Sequence, residues 1–352
     1  MNLENLLRLV VEKQATDLHL TVGVAPQMRI DGDIIFADSP PLTLEDIQKL
    51  AYSILSEEQI RRFEQDKELD TSYGISGLGR FRVNLYYQRG SLACAIRFIP
   101  YEIPSLASLG LPDVVKEFLS IHAGLILVTG ATGSGKSTTM ASMIEHINSL
   151  RRCHIITIED PIEYLHKHKL ATINQREIGR DTLSFAEALK HIFRQDPDVV
   201  MIGEMRDLET MRAALTLAET GHLILATLHT MDATHSIDRI VDVFPPFQQQ
   251  QIRIQLSLAL IGVITQQLIP RVDKKGRVLA SEVMKVTPAI SNLIREHNLH
   301  QIYSVIQTNL KEGMNTMNHS LFNLCKRGLI GAEEALRRSP DPKELMSLLT
   351  KK

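Results

Sequence analysis

The 352-residue sequence contains no tryptophan, and aromatic residues make up only 5% of it. Lysine and arginine, 39 in all, are balanced by 41 aspartates and glutamates, which leaves a formal net charge of −2. Proteins that bind single-stranded nucleic acid combine a positively charged groove with aromatic side chains on which bases stack. Since neither feature stands out, the composition argues against nucleic acid as a partner.

The chain is also poor in cysteine and in long hydrophobic runs. Its three cysteines, Cys94, Cys153 and Cys325, lie far apart, which is typical of a reducing compartment and provides neither a disulfide framework nor a zinc motif. No apolar run reaches the roughly 18 residues of a membrane helix. The first residues, MNLENLLRLVVEKQ, are amphipathic and contain charges, which does not match a signal peptide. We therefore expect a cytoplasmic protein that associates with a membrane only through partners.

The most informative stretch is LILVTGATGSGKSTT, residues 125–139. Its apolar start predicts a buried parallel strand, and a helix-compatible segment follows. Between them, Gly130, Gly135, Lys136 and Ser137 complete the pattern G-x-x-x-x-G-K-[ST]. In this pattern backbone N–H groups surround phosphate oxygens, the lysine reaches the β- and γ-phosphates, and the serine hydroxyl holds Mg²⁺. The predicted nucleotide-binding loop comprises Gly130, Ala131, Thr132, Gly133, Ser134, Gly135, Lys136, Ser137 and Thr138.

Hydrophobic patterning divides the chain into four segments. Residues 1–100 mix short helices and strands, which predicts a small α+β domain, and the proline-containing residues 101–112 predict a linker. Residues 113–270 alternate apolar strands with helices, which predicts an α/β fold with a doubly wound parallel sheet. Residues 271–352 have apolar residues mostly at helical spacing, which predicts a C-terminal helical subdomain.

Polar residues follow the predicted strands of the α/β domain. Glu159 and Asp160 come after one apolar run, Glu204 after the next, and His229 after a third. Ligands of doubly wound folds bind at the carboxyl ends of the strands, which meet at one edge of the sheet. We therefore expect these side chains to form a catalytic site beside the phosphate-binding loop.

Two carboxylates are candidates for the chemistry. Glu204 ends a strand, where nucleotide-hydrolysing enzymes place the carboxylate that holds Mg²⁺ or its water shell; Asp198 is a less favoured alternative because it starts that strand. Glu163 lies beyond the turn predicted at Asp160-Pro161, and we expect it to orient or deprotonate the attacking water. The alternative interpretation is that this acidic cluster simply faces solvent.

Histidines and arginines offer further candidates. His229 shares the predicted edge with the phosphate loop and is a candidate sensor of the γ-phosphate, whereas His222 opens the same strand at its opposite end. Arg80, Arg82 and Arg97 alternate with apolar residues in two predicted strands, so they share a face that is either solvated or meets phosphate. Other arginines that could act on a phosphate in trans are Arg176, Arg180, Arg206, Arg239 and Arg253.

Four segments together resemble the signature motifs of the secretion ATPases, the motors of type II secretion and type IV pili. They are GATGSGKST (130–138), TIEDPIEY (157–164), GEMRDLET (203–210) and TGHLILATLHT (220–230), which resemble the Walker A motif, the Asp box, the Walker B motif and the His box. The resemblance runs almost end to end.

Within this family the chain is most similar to the pilus retraction ATPases. DLHL (17–20), DRIVDVFP (238–245) and PAISNLIRE (288–296) carry that similarity. Ser291 departs from the group's pattern, which usually has arginine at this position. Extension and secretion motors usually carry a four-cysteine zinc element, which three scattered cysteines do not match.

The resemblance implies an N-terminal PAS-like domain, a RecA-like ATPase domain and a homohexamer that hydrolyses ATP with Mg²⁺. It implies that Lys136 and Ser137 bind ATP and Mg²⁺, that Glu163 is the catalytic base, and that Glu204 is the Walker B carboxylate, which holds Mg²⁺ through water. It further implies that His222 and His229 are the His-box residues, and that N-terminal arginines among Arg80, Arg82 and Arg97 approach the nucleotide. It also implies a position on the cytoplasmic side of the inner membrane, at a pilus platform protein, where hydrolysis drives pilus retraction and twitching motility.

Other functions stay open at this point. The chain could be a pilus extension or type II secretion motor, or, because of Ser291, a retraction ATPase paralogue with a modified role. A nucleic-acid translocase would reveal itself by ATPase stimulation with single-stranded DNA. A nucleotide-binding regulator with little hydrolysis would show unchanged turnover in a Glu163→Gln variant.

Overall fold

The structure, a computed structural model, describes residues 2–30, 33–75, 77–99, 102–273 and 276–350. Four residues that bound the segments predicted from the sequence lie outside the described residues: Met1, Pro100, Tyr101 and Lys352. Backbone contacts divide the chain into two units. The first comprises Met1–Glu102 with Glu163–Leu165, and the second comprises Ile103–Ile162 with His166–Lys352.

The first unit, so far as the described residues show it, is a six-stranded antiparallel sheet in the order β3-β2-β1-β6-β5-β4, accompanied by helices. Its elements are α1 (Leu3–Glu12), β1 (Asp17–Leu20), β2 (Gln27–Ile30), β3 (Asp33–Phe36), α2 (Leu44–Tyr52), α3 (Glu57–Asp66), β4 (Glu68–Ile75), β5 (Gly79–Gln88) and β6 (Ser91–Ile99). The apolar stripe of α1 is buried in the core, as helical periodicity predicts. Capping boxes at Thr43 and Ser56 begin α2 and α3.

The second unit contains the elements of an α/β fold. They are α4 (Val114–Ser120), β7 (Gly124–Thr129), α5 (Lys136–Leu150), β8 (His154–Glu159), β9 (Thr172–Glu177), α6 (Phe185–Ile192), β10 (Val199–Ile202), α7 (Leu208–Glu219), β11 (Leu223–Leu228), α8 (Ala233–Asp242), α9 (Pro246–Ala259), β12 (Leu260–Pro270), β13 (Arg277–Lys285), α10 (Pro288–Arg295), α11 (Ile302–Thr308), α12 (Met317–Lys326), α13 (Ala332–Arg338) and α14 (Pro342–Thr350). Short 3₁₀ turns lie at Leu106–Leu109, Phe193–Gln195, Leu299–Gln301 and Leu310–Glu312.

The described part of this second unit has a seven-stranded sheet in the order β13-β12-β7-β11-β10-β8-β9. All neighbours pair in parallel except β13, which pairs antiparallel to β12. Every residue of β7 is buried. Leu125 and Leu127 belong to one hydrophobic core, whereas Ile126 and Val128 belong to another, so both faces of the sheet are covered by helices. The predicted α/β class is therefore confirmed.

One strand lies where the sequence pattern predicted mostly helix. Arg277–Lys285 forms β13, and nine of its residues pair with β12. Five consecutive residues of β13 are buried, because the C-terminal helix α12 packs on this strand. The strand therefore lacks the alternation of apolar and polar residues by which a strand is recognised in a sequence. The C-terminal helices thus pack on the end of a β12–β13 hairpin. Among the described residues, no helix combines the length and apolar character needed to cross a bilayer.

Candidate functional site

The carboxyl ends of four parallel strands meet at one edge of the second unit's sheet. β7 runs into the glycine-rich loop, β8 ends at Glu159, β10 leads through Gly203 to Glu204, and β11 leads to His229. Their parallel registers align these ends. The side chains of Glu204 and His229 lie within 3.2 Å of each other, as the strand pattern predicts.

The loop after β7 has a backbone that only glycine adopts readily. Gly133 and Gly135 have φ angles of 78° and 92°, and Gly135 precedes the first residue of α5. Gly130 has a φ of 137°, and a Cβ there would stand 2.5 Å from the carbonyl oxygen of Gln266. The loop therefore folds closely against β12 and presents its N–H groups at the N-terminus of the 15-residue helix α5.

Lys136 and Ser137 occupy the first turn of α5. The Nζ of Lys136 donates to the carbonyl oxygens of Gly130 at 2.8 Å and Ala131 at 3.0 Å, so this ammonium group lies inside the curve of the loop. Ser137 is exposed, whereas Ser134 is buried and its hydroxyl finds no hydrogen-bond partner among the described residues. A cradle of N–H groups with an inward lysine fits a polyphosphate.

Glu204 is paired with two basic side chains at this edge. Its Oε1 accepts from Arg206 Nε at 2.6 Å and lies 3.2 Å from His229 Nε2. Partial burial alone would raise its pKa, but the hydrogen bond from Arg206 and the proximity of His229 outweigh burial and lower it. Glu204 is therefore ionised at neutral pH. A carboxylate and the hydroxyl of Ser137 are the hard oxygen donors that suit Mg²⁺, so the residues present fit this ion.

The alternative carboxylate, Asp198, lies at the other end of β10. Its Oδ2 accepts from the backbone N–H of His154 at 2.7 Å, which joins the amino ends of β10 and β8. His222 likewise precedes β11, a strand of six residues that spans about 20 Å. The Nδ1 of His222 lies 3.0 Å from the carbonyl oxygen of Leu217, so it closes the end of α7. The structure does not bring Asp198 or His222 to the phosphate loop of the same chain.

The acidic segment after β8 is divided between the two units. Glu159 is buried and accepts from Thr157 at 2.7 Å and Gln175 at 3.0 Å, so it has a structural part in joining β8 to β9. The N–H of Ile162 donates to buried Glu177 at 3.1 Å, which fixes the path of the chain after Asp160. Glu163 itself is exposed, and its backbone contacts assign it to the first unit. Its role as the base therefore stays a prediction.

Arg80, Arg82 and Arg97 lie on β5 and β6 of the first unit. Arg82 and Arg97 are directly opposite across the two strands, and Arg80 and Arg82 share a face of β5, as the alternation predicts. Within the unit, Arg80 donates to Ser72 at 2.6 Å and Arg97 to Asp17 at 2.8 Å, while Arg82 lies 4.0 Å from Asp70. Burial would raise the pKa of Asp17, but its hydrogen bonds from Arg97 and Thr16 lower it.

Two polar residues beneath the phosphate loop were not predicted from the sequence. The side chain of Gln266 on β12 is buried and donates to Thr139 of α5 at 2.7 Å. The hydroxyls of Thr129 and Thr265 lie 2.8 Å apart and join β7 to β12. A polar pair, Thr265-Gln266, inside an apolar strand was the signal that could have revealed this contact.

Comparison with known proteins places the chain in a family. A family model described as type II/IV secretion system protein matches residues 62–337. The chain is 46% identical to the type IV pilus retraction ATPase PilT of Pseudomonas aeruginosa, over 97% of this chain and 99% of PilT. It is 41% identical to the type IV pilus ATPase PilU of the same organism, over 99% of this chain and 91% of PilU.

Solved structures agree with these relatives. The crystal structure of the pilus retraction motor PilT with bound ADP matches with a TM-score of 0.93 at 53% identity, covering 99% of both chains. The Legionella pneumophila ATPase DotB matches with a TM-score of 0.82 at 26% identity, covering 95% of this chain and 93% of DotB. The chain belongs to the type II/IV secretion system protein family, and it is a nucleotide-binding ATPase.

Proposed function

We propose that this ATPase is the motor that retracts type IV pili, using ATP hydrolysis to remove pilin from the base of the fibre. The observation that carries the proposal is similarity along the full length of a retraction ATPase, 99% of PilT. By contrast, the chain matches only 19% of the pilus assembly ATPase PilB of Thermus thermophilus and 46% of the type II secretion protein E of Xanthomonas campestris. An extension or secretion motor is therefore the weaker alternative.

In the proposed site, ATP binds with its phosphates on the loop 130–138. Backbone N–H groups of the loop and the Nζ of Lys136 hold the phosphate oxygens, and Gly130 keeps the loop close to β12. Ser137 and Glu204 would hold Mg²⁺, and the ion would neutralise phosphate charge when bound. Arg206 and His229 keep Glu204 ionised and oriented for this role.

Glu163 is proposed as the base that orients or deprotonates the attacking water, a contribution of about 10²- to 10⁴-fold in rate. His229 is proposed to contact the γ-phosphate, because it leaves the carboxyl end of β11 beside Glu204. Arg80, Arg82 and Arg97 are retained as candidates that approach the nucleotide. His222 is retained only as a His-box residue, with its ring at the C-terminal end of α7.

We further propose that the protein assembles as a homohexamer. It works at the cytoplasmic face of the inner membrane, where a pilus platform protein supplies its membrane association, and nucleic acid has no part in its action. The domain boundaries predicted from the sequence, 1–100, 113–270 and 271–352 with a linker at 101–112, belong to the same proposal.

A second candidate function is that of a modified retraction ATPase paralogue. Ser291 favours it, because this residue of α10 donates its hydroxyl to the carbonyl oxygen of Ser257 in α9 at 2.9 Å. An arginine at this position would extend from α10 and leave that carbonyl without this bond. The similarity to PilU over 99% of this chain also keeps this candidate open.

Deletion of the protein in its own host separates these functions. Loss of a retraction motor leaves cells that extend pili but cannot withdraw them, so surface pili accumulate and twitching stops. Loss of an extension motor leaves cells without pili, and loss of an accessory paralogue leaves twitching partly intact. Complementation with Lys136→Ala should fail, whereas Lys116→Ala, a change at an exposed lysine that pairs with Asp113 of the same helix end, should restore retraction.

A further inference from the structure

A buried carboxylate outside the candidate nucleotide site connects two helix N-termini. Glu282 on β13 is only 3% exposed. Its Oε1 accepts from the backbone N–H of Ala233, the first residue of α8, at 3.0 Å. The backbone N–H of Met317, the first residue of α12, also faces this carboxylate and stabilises its charged form. Because an ionised carboxylate has only acceptors, both N–H groups favour the ionised form.

The N-terminus of α8 continues directly into the candidate site. Residues 229–232 connect His229 to α8, and the hydroxyls of Thr230 and Ser236 lie 2.6 Å apart, which ties this loop to the helix. Asp232 caps the helix by accepting from the N–H of His235 at 2.7 Å. A shift of the first turn of α8 therefore moves His229 relative to Glu204, which lies 3.2 Å away.

We propose that Glu282 is a positioning residue for ATP hydrolysis, which holds α8, and through it His229, in register with Glu204. The same carboxylate holds α12, so the arrangement of the C-terminal helices is coupled to the catalytic edge. The inference rests on the proposed role of His229 at the γ-phosphate.

The charge on Glu282 decides how strongly it holds the first turn of α8. Burial and the nearby charge of Asp232 raise its pKa, while the backbone N–H groups of Ala233 and Met317 lower it, and the result is about 7. On the other packed elements, Tyr303 of α11 interacts with the charge of Glu282, and the residue opposite on β12 is the uncharged Thr265. Protonation removes the negative charge that strengthens the hydrogen bond from Ala233, so the hold on α8 weakens.

A glutamine at this position imitates the protonated acid, because it keeps an acceptor oxygen for Ala233 but carries no charge. The test is the pH dependence of kcat and KM, from about pH 5.5 to 8.5, for the full-length protein and Glu282→Gln. In the wild type, kcat should fall about fivefold as the pH drops through the transition, the effect of one ordinary hydrogen bond, while KM changes little. Glu282→Gln should give the low, acid-limb kcat throughout this range.

A histidine also titrates in this range, so the wild-type transition by itself decides nothing. The decisive observation is whether the pH transition of kcat is lost in Glu282→Gln, a variant in which His229 is intact. If the transition persists in this variant, the proposal is overturned. Glu334→Gln is the control, since Glu334 belongs to the C-terminal helix α13 and its described partners, Arg337 and Arg338, lie in the same helix. Loss of the transition in this control would also overturn the proposal, because general loosening would then explain it.

Two further variants keep the test decisive. If Glu282→Gln does not fold, Ser236→Ala cuts the link to Thr230 and leaves Glu282 in place. It should lower kcat severalfold at unchanged KM, and a normal kcat would overturn the proposal. Failure of the underlying site is recognised separately, because Lys136→Ala would then hydrolyse ATP at the normal rate.

Discussion

At the scale of single residues, the phosphate loop depends on the absence of a side chain at Gly130. In Gly130→Ala the new Cβ would stand 2.5 Å from the carbonyl oxygen of Gln266 and 2.7 Å from the hydroxyl of Ser134. The first of these atoms belongs to the backbone of β12 and cannot move cheaply. We expect a loss of about 2–4 kcal/mol in the free energy of unfolding, together with loss of ATP binding. Denaturant unfolding and nucleotide titration measure both effects.

Gly179→Ala is the control for backbone strain alone. Gly179 has a φ of 79°, and a Cβ there would meet nothing within 4 Å. Its cost should be about 1 kcal/mol, with ATP binding unchanged. Equal losses in the two variants would show that packing under Gly130 is unimportant.

A second residue prediction concerns the charge of Glu204. Glu204→Gln removes the partner of Arg206 and His229 and should lower kcat by about 10²-fold or more. Because folding lowers the pKa of Glu204, its ionised form contributes stability above the pKa of the unfolded chain. This contribution is lost as the pH falls through the lowered folded pKa. The difference in Tm between wild type and variant should therefore shrink below about pH 4.5.

The control for Glu204→Gln is Glu187→Gln. Glu187 is a surface carboxylate whose hydrogen bond from Lys190 lowers its pKa in the same direction. Exposed pairs contribute little, so hydrolysis and Tm should both stay near wild type. A Glu204→Gln protein with normal turnover would remove Glu204 from the site.

At the scale of secondary-structure elements, the sequence was most informative where one signal dominated. The apolar run before the glycine loop predicted β7, and the polar residues after apolar runs predicted the edge where Glu204 meets His229. β4, β9, β12 and β13 were not predicted, because β4 and β9 are rich in polar residues, while β12 and β13 are each buried over five successive positions. Gln266 and Glu282 were missed because their partners, Thr139 and Ala233, are distant in the chain.

The packing of α10 on α9 supplies a prediction at this scale. Ser291→Ala removes the hydroxyl that donates to the carbonyl oxygen of buried Ser257, so stability should fall by about 0.5–1.5 kcal/mol. ATP hydrolysis should not change, since no contact of Ser291 with the site is described. Thermal unfolding and steady-state hydrolysis measure the two quantities.

Asn292→Ala provides the matched control on the same helix. Asn292 is exposed, and its side chain accepts a long 3.4 Å contact from Arg295. Replacement by alanine should be neutral or slightly stabilising, because alanine has the higher helix propensity. If Ser291→Ala were as neutral as this control, the bond to Ser257 would have no part in holding α10.

At the scale of the whole molecule, a motor differs from a simple hydrolase in the dependence of one subunit on its neighbours. The protomer mass is 39.6 kDa, so the proposed ring of six should have a mass of about 240 kDa in solution, measured by light scattering with and without nucleotide. A protein that stays at the protomer mass in both conditions, yet hydrolyses ATP, would contradict the assembly.

Mixed assemblies then test whether the subunits work together. Wild-type chains are combined with increasing fractions of Glu204→Gln chains, and the rate of hydrolysis is measured after exchange. If each subunit must complete its step before the ring can proceed, one inactive chain slows all its neighbours, and the rate falls more steeply than the wild-type fraction. If the subunits are independent, the rate falls in a straight line with the wild-type fraction.

Glu187→Gln chains are the control, because they also lose one carboxylate, but outside the site. Mixing them in should not change the rate of hydrolysis at any fraction. A linear decline with Glu204→Gln, at a confirmed hexamer mass, would mean that the ring assembles without coupling its sites, and the motor proposal would fail.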